Sequence, residues 1–263
     1  MDKMHPITLL TDFGHQDAYV GILKGVIAQI APHSQLIDLT HQIPPQDLWA
    51  AQFNLRNAYP YFPPQTVHLV VVDPGVGTQR HGIAVQTHRG YFVAPDNGVL
   101  TPVLQQERVV GAIALDRPQY WRNPQPSSTF HGRDIFATIA AHLATGQALT
   151  TLGRALDPTG LVQLPIPATQ QTAQQITGVV QYIDHFGNCI TNIPGEQVAN
   201  LTWAVELGGQ DMVGVKTYGD RPPGSLIALI GSHGWIEIAV NQGNAQDHLQ
   251  WQVGTVVWVK LNP

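Results

Sequence analysis

The sequence predicts an N-terminal α/β sandwich domain built on a mostly parallel sheet, followed by a C-terminal all-β, barrel-like domain. Three features predict this. In the first half, short apolar runs alternate with segments whose apolar side chains recur at helical spacing. One of those runs, Val67–Val72, is unbroken, which marks a strand covered on both faces. Past Gln175 the helical pattern stops, and short apolar stretches separated by glycine-bearing turns replace it.

The elements follow in order. Ile7–Leu10 reads as a strand that ends in the turn Thr-Asp-Phe-Gly. Tyr19, Val20, Leu23, Val26, Ile27 and Ile30 fall on one helical face, and Pro32 closes that segment. Leu36–Leu39 is a second strand and Asp47–Tyr59 a second helix. Val67–Val72 runs into the glycine-rich turn Asp73-Pro-Gly-Val-Gly. Ile83–Gln86 and Tyr91–Ala94 flank Thr-His-Arg-Gly and read as a hairpin. Val109–Leu115 is another buried strand, followed by a Pro-, Gln- and Ser-rich loop over 116–128. Arg133–Thr145 is a helix, with Gly146 at its C-terminal stop. Residues 1–160 therefore form the first domain, 161–175 a Pro-, Thr- and Gln-rich linker, and 176–263 the second domain. The second holds strands at Ile176–Ile183, Trp203–Leu207, Val213–Thr217, Leu226–Ile230, Trp235–Val240 and Val256–Leu261, and almost no helix.

Composition narrows the function. At 263 residues and 43% hydrophobic, the chain can bury a substantial core. A net charge of -5 without a Lys/Arg cluster argues against nucleic acid as a partner. A single cysteine, Cys189, allows no internal disulfide and fits a reducing compartment. No apolar run is long enough for a signal-peptide core or a membrane span. We therefore expect a soluble, cytoplasmic protein with no membrane partner.

In open α/β sheets, ligands bind beyond the carboxyl ends of the strands. The first strand delivers Asp12 to such an end and Val67–Val72 delivers Asp73, while His131 lies just before the helix that starts at Arg133. Asp73 and Arg80 bracket a tight glycine turn that can fold the two side chains together, as a structural ion pair or as part of a site. The glycines at 75, 77 and 98 fit neither the dinucleotide fingerprint nor the P-loop. The 12 histidines show no HExxH and no short His-x-His pair, and an Arg beside Asp12, Asp73 and His131 disfavours a cation, so we expect no metal. In the second domain, aromatic, Asn and Asp side chains crowd the turn after Tyr182, a composition that fits an ordinary β turn and also suits a purine.

Six segments, in order, resemble the S-adenosyl-L-methionine (SAM) hydroxide adenosyltransferase family, related to fluorinase and chlorinase. They are Thr11-Asp-Phe-Gly with Asp17 and Gly21-Ile-Leu-Lys-Gly, Val72-Asp-Pro-Gly-Val-Gly-Thr, Ala94-Pro-Asp-Asn-Gly, Ser128-Thr-Phe-His-Gly-Arg-Asp, Ile183-Asp-His-Phe-Gly-Asn, and Gly231-Ser-His-Gly-Trp-Ile-Glu-Ile-Ala-Val-Asn. The resemblance spans nearly the whole chain. It implies hydrolysis of SAM to adenosine and L-methionine by in-line attack of water at ribose C5′, without a cofactor. It also implies a homotrimer whose sites lie between one subunit's N-terminal domain and a neighbour's C-terminal domain. Carried over by motif, Asp73, Arg80 and His131 form the catalytic set. Asp12 clasps the ribose diol, Asp17 and Asp184 hold the methionine ammonium, and Ser232 binds the carboxylate. Phe186 and Tyr218 pack around adenine, and Asn188 hydrogen-bonds its edge.

Halide-using relatives carry a Tyr and a small hydroxyl residue where this chain has Asp73 and Val76, which favours water as the nucleophile. They also carry an Arg where this chain has His233. Three alternatives remain at this stage: a 5′-halogenase on the same scaffold, a protein that binds SAM or adenosine without turnover, and a metal-dependent hydrolase.

Overall fold

The computed structural model describes residues 4–262. Contacts divide them into two compact units, one ending at Leu164 and one beginning at Pro165.

The first unit is a seven-stranded sheet between helices. Its strands are β1 (Ile7–Thr11), β2 (Leu36–Thr40), β3 (Thr66–Val71), β4 (Gly82–Thr87), β5 (Gly90–Pro95), β6 (Val109–Ala114) and β7 (Arg154–Leu156). Their order across the sheet is β2-β1-β3-β5-β4-β6-β7. The pairings from β2 to β5 are parallel, and those from β5 to β7 are antiparallel. Strand alternation sorts the core into two faces. Ile7, Leu9, Val67, Leu69 and Val71 pack against α1 (Tyr19–Ile30) and α4 (Ala137–Ala144) through Leu23, Ile27, Ile139 and Leu143. On alternate positions of the same strands, Thr8 Oγ1 meets His68 Nδ1 at 2.8 Å, and the His68 ring stacks on Phe92. Burial pushes the His68 imidazole down to about 3, so it is a neutral core residue. α2 (Leu48–Ala58) and the short α3 (Thr101–Gln106) complete the helices of this unit. α2 starts where Asp47 accepts the Ala50 N–H at 2.9 Å, an N-cap that satisfies one of the free donors of the first turn. At the end of this unit, Val162 N–H donates to Asp96 and Leu164 N–H to Thr101, which ties 161–164 to the sheet domain.

The second unit is a closed barrel. Its strands are β8 (Gln170–Gln171), β9 (Gln175–Ile183), β10 (Cys189–Pro194), β11 (Trp203–Leu207), β12 (Gln210–Val215), β13 (Leu226–Ile230), β14 (Trp235–Val240) and β15 (Val256–Leu261). The order β10-β14-β13-β12-β11-β15-β9 returns to β10, which closes seven strands, and β8 adds to β9. Closure removes the exposed strand edges of an open sheet. Ile176, Val180, Ile193, Val205, Ile236, Ile238, Val257 and Val259 fill the interior.

Five elements carry no readable periodicity in the sequence: α3, β7, β8, β10 and the five-residue α5 (Ala245–Leu249). Four of them span six residues or fewer of helix or three or fewer of strand. β10 is hidden for a different reason, because Thr191 and Asn192 interrupt its apolar run. Both are buried and satisfied by tertiary partners. Thr191 Oγ1 donates to the Ile236 carbonyl at 2.8 Å, and Asn192 accepts from Val179 N–H and donates to the Pro167 carbonyl.

Candidate active site

β1 and β3 are parallel neighbours with Thr11 opposite Val71. Their carboxyl ends therefore deliver Asp12 and Asp73 to the same edge of the sheet. After β3 the chain turns tightly: Val76 N–H donates to the Asp73 carbonyl, and Thr78 donates to Gly75 through both N–H and Oγ1. Asn97 braces the strand end by donating to the Val72 carbonyl at 2.9 Å. The turn brings Arg80 back onto Asp73. Arg80 Nε donates to Asp73 Oδ1 at 2.9 Å and Nη2 donates to Oδ2, a bidentate fork. The same Nη2 lies 2.9 Å from His131 Nδ1, and the guanidinium sits over the Phe136 ring.

The segment carrying His131 is docked on that turn. Gly77 has φ +77, and a Cβ there would lie 2.2 Å from the Ser128 carbonyl oxygen. Only glycine permits both this left-handed backbone and the close approach. Asp134, whose side chain is 1% exposed, secures the segment from below by accepting from Ser127 N–H at 2.9 Å and from Arg133 Nε and Nη2, each at 2.7 Å. The Arg133 fork holds the Asp134 carboxyl below the usual carboxylate range. His131 then enters a single wide turn, Gly132–Phe136, with i to i+5 hydrogen bonding ahead of α4.

The electrostatics follow from these contacts. A guanidinium is always a donor, so His131 Nδ1 accepts from Arg80 and the neutral ring carries its proton on Nε2. Burial first, and the Arg80 charge second, lower the affinity of His131 for a further proton. Asp12 accepts the Gln46 N–H at 2.8 Å, with Gln46 held at φ +66. Burial raises the Asp12 carboxyl above its ordinary value, and the Asp73 charge adds to that shift. The structure thus gathers Asp12, Asp73, Arg80 and His131 at one sheet edge. Asp17 lies exposed in the turn that precedes α1. Phe13, Tyr19 and Phe130, which the sequence reading did not assign, form a trio of edge-to-face rings, with Phe13 next to Asp12 and Phe130 next to His131.

In the second unit, Asp184 organises a turn. Oδ1 accepts from Phe186 N–H and Asn188 N–H, each at 2.9 Å, and Oδ2 accepts from Asn188 Nδ2 at 3.0 Å. Gly187 at φ +81 lets Asn244 pack against the turn, where a Cβ would fall 2.1 Å from Asn244 Oδ1. Phe186, Asn188, Tyr218, Val240, Gln242 and Gly243 line a cavity of about 430 Å³. This volume suits a small molecule. Asn188 uses its amide N–H on Asp184, so its Oδ1 remains as an acceptor. Phe186 is 70% exposed, an aromatic face without a protein covering in this unit. Ser232 is exposed on the turn between β13 and β14. Sequence reasoning missed Glu237, a carboxylate 3% exposed that accepts from Tyr218 Oη at 2.6 Å. The signal was present as an acid within the otherwise apolar run Trp235-Ile-Glu-Ile-Ala-Val.

Among the described residues, no group of three or more His, Cys, Asp and Glu is arranged to hold a metal ion, and no helix is long and apolar enough to cross a membrane.

Comparison with known proteins adds to this geometry. The family model of the SAM hydroxide adenosyltransferase N-terminal domain matches residues 7–153, and that of its C-terminal domain matches 178–258. The chain is 40% identical to the (R)-S-adenosyl-L-methionine hydrolase of Salinispora tropica, over 92% of this chain and 93% of that one. It is 39% identical to the protein of the same name from Thermus thermophilus, over 97% and 99%. The crystal structure of an uncharacterized conserved protein from Thermotoga maritima superimposes with a TM-score of 0.90 at 38% identity, covering 96% of this chain and 99% of that one.

Proposed function

The chain belongs to the SAM hydroxide adenosyltransferase family, and we propose from that membership and the clustered side chains that it hydrolyses SAM to adenosine and L-methionine. The observation that carries the mechanism is Arg80 bridging Asp73 and His131 at the carboxyl end of β3. Water attacks ribose C5′ on the side opposite sulfur. The O–C5′ bond forms as the C5′–S bond breaks, its electron pair passes to sulfur, and neutral methionine leaves. One proton is released from the attacking water.

The hydrogen bonds support one reading of where that proton goes. His131 Nδ1 faces Arg80, so its Nε2–H is a donor that orients the water rather than a base that deprotonates it. Both Asp73 oxygens accept from Arg80, and each keeps a second lone pair. Asp73 is therefore the proton acceptor of the three, with Arg80 fixing its orientation. A base placed in this way contributes about 10²–10⁴-fold. Opposite charges on nucleophile and sulfonium diminish as the bond forms, so a water-poor site favours the transition state. No cofactor is required.

The remaining roles follow the resemblance and suit the chemistry of the side chains. Asp12 clasps the ribose diol. Asp17 and Asp184 hold the methionine ammonium, and Ser232 holds the carboxylate. Phe186 and Tyr218 pack on adenine, and the free Oδ1 of Asn188 accepts from its amino group. The assembly is a cytoplasmic homotrimer, in which one subunit's first unit faces a neighbour's second unit across each site.

Turnover in oxygen-18 water tests the reaction. Label in the adenosine 5′ hydroxyl is expected, and unlabelled adenosine or intact SAM refutes hydrolysis at C5′. Parallel incubations with chloride or fluoride are expected to yield adenosine and no 5′-halo product. Relatives named for the (R) form make separate (R) and (S) substrates a further arm, with turnover expected for (R).

A further inference from the structure

We propose that Glu237 is a positioning residue that joins the adenine wall and the 231–234 turn of the second unit into one rigid binding surface. The functional side of this proposal rests on the reading above. Ile236 and Ile238 point into the barrel, so alternation sends the Glu237 side chain to the outer face of β14. An outer-face acid is ordinarily wet, yet Glu237 is 3% exposed. Tyr218 and His233 lie against its two oxygens. Tyr218 Oη donates to Oε1 at 2.6 Å, and His233 Nε2 lies 3.0 Å from Oε2.

The ring of His233 is fully engaged. Its Nδ1 accepts the Trp235 N–H at 3.1 Å, so the neutral ring carries its proton on Nε2 and donates it to Glu237. His233 therefore acts as a strut between the Trp235 amide and Glu237. The space is built for this contact, because a Cβ on Gly231 would fall 2.5 Å from the His233 ring and 2.7 Å from Glu237 Oε2. Burial and the Glu237 charge both favour the protonated phenol of Tyr218, which keeps it a donor. One carboxylate thus couples the aromatic that packs on the base to the turn that carries Ser232. Buried carboxylates held by two neutral donors are costly, and their partners lose orientation when one is removed.

Glu237→Gln keeps the shape and removes the charge and one acceptor. KM for SAM is expected to rise at least about tenfold, with kcat nearly unchanged, because Asp73, Arg80 and His131 belong to the other unit. Calorimetry is expected to show weaker binding of both adenosine and methionine in this variant, whereas Tyr218→Phe weakens adenosine alone. An unchanged KM in folded Glu237→Gln, checked by thermal melting, overturns the proposal. A readout independent of turnover is the ultraviolet titration of tyrosinate. Subtracting the Tyr218→Phe curve isolates Tyr218, whose ionisation is expected to return toward the ordinary phenol range in Glu237→Gln. If wild type makes no adenosine, the functional reading falls while this titration still decides the clamp, and an unmoved Tyr218 transition refutes it.

Discussion

Asp73 and Asp134 in the first unit are held differently from Asp184 and Glu237 in the second. In the first, Asp73 is forked by Arg80 and Asp134 by Arg133. In the second, neither Asp184 nor Glu237 has a Lys or Arg partner among the described residues. Asp184 is held by N–H groups and an amide, and Glu237 by a phenol and an imidazole. A guanidinium fork fixes a carboxylate without leaving its charge unbalanced, whether the carboxylate braces a segment, as Asp134 does, or takes the reacting role proposed for Asp73. Neutral donors fix a carboxylate and leave its negative field available, which suits the recognition of a cationic substrate such as SAM.

The largest expected effect tests the reacting half. Asp73→Asn is expected to lower kcat by about 10²–10⁴-fold while the affinity for an unreactive SAM analogue stays near wild type. A drop in affinity with kcat preserved would place Asp73 with the binding groups and erase the contrast. Next comes Asp12→Ala, which removes a bidentate clasp and is expected to weaken SAM binding by about 10–100-fold in calorimetry on the Asp73→Asn background. An unchanged dissociation constant contradicts the ribose assignment.

Gly77→Ala sharpens the comparison without touching a reacting group. The added Cβ meets the Ser128 carbonyl at a positive φ, so the turn and the His131 segment must separate. We expect a loss of about 1–3 kcal/mol in stability, read by denaturant titration, together with reduced kcat and nearly unchanged adenosine affinity. The smallest effect is on pH dependence. Protonating His131 places a proton on Nδ1 against Arg80, and burial and that guanidinium both oppose it. His131 is therefore neutral down to below its ordinary value of 6.5 and charges only as pH falls further. The acid limb of kcat/KM that depends on His131 is expected below 6.5, and a limb above that value is incompatible with the Arg80 contact.

Legibility in the sequence varied by element, and the reasons are physical. β13 and β14 were readable to the residue because apolar runs bounded by glycine turns leave little choice. β10 was not, because Asn192 and Thr191 replace apolar side chains and draw their hydrogen bonds from distant segments. Asp73 and His131 stood out at element ends and Arg80 across a glycine turn from Asp73, but only the family resemblance joined the three into a catalytic set. The ligand role of Asp184 came with the resemblance, whereas its part in shaping the turn that presents Phe186 and Asn188 is visible only in the structure. Glu237 escaped because its position on a strand gives no hint that two side chains from elsewhere cover it.

By itself the sequence determined the division into an α/β half and an all-β half, the strand that ends at Asp73, and the residue types available for chemistry. Those follow from periodicity and turn composition, which act over a few residues. The tertiary structure alone decided that Arg80 would touch both Asp73 and His131, which protons those contacts assign, and that the barrel would close through β9 and β10. Such facts depend on the register of neighbouring strands and on a glycine docked against a carbonyl 51 positions away, and no local pattern of side chains encodes a distance of that kind.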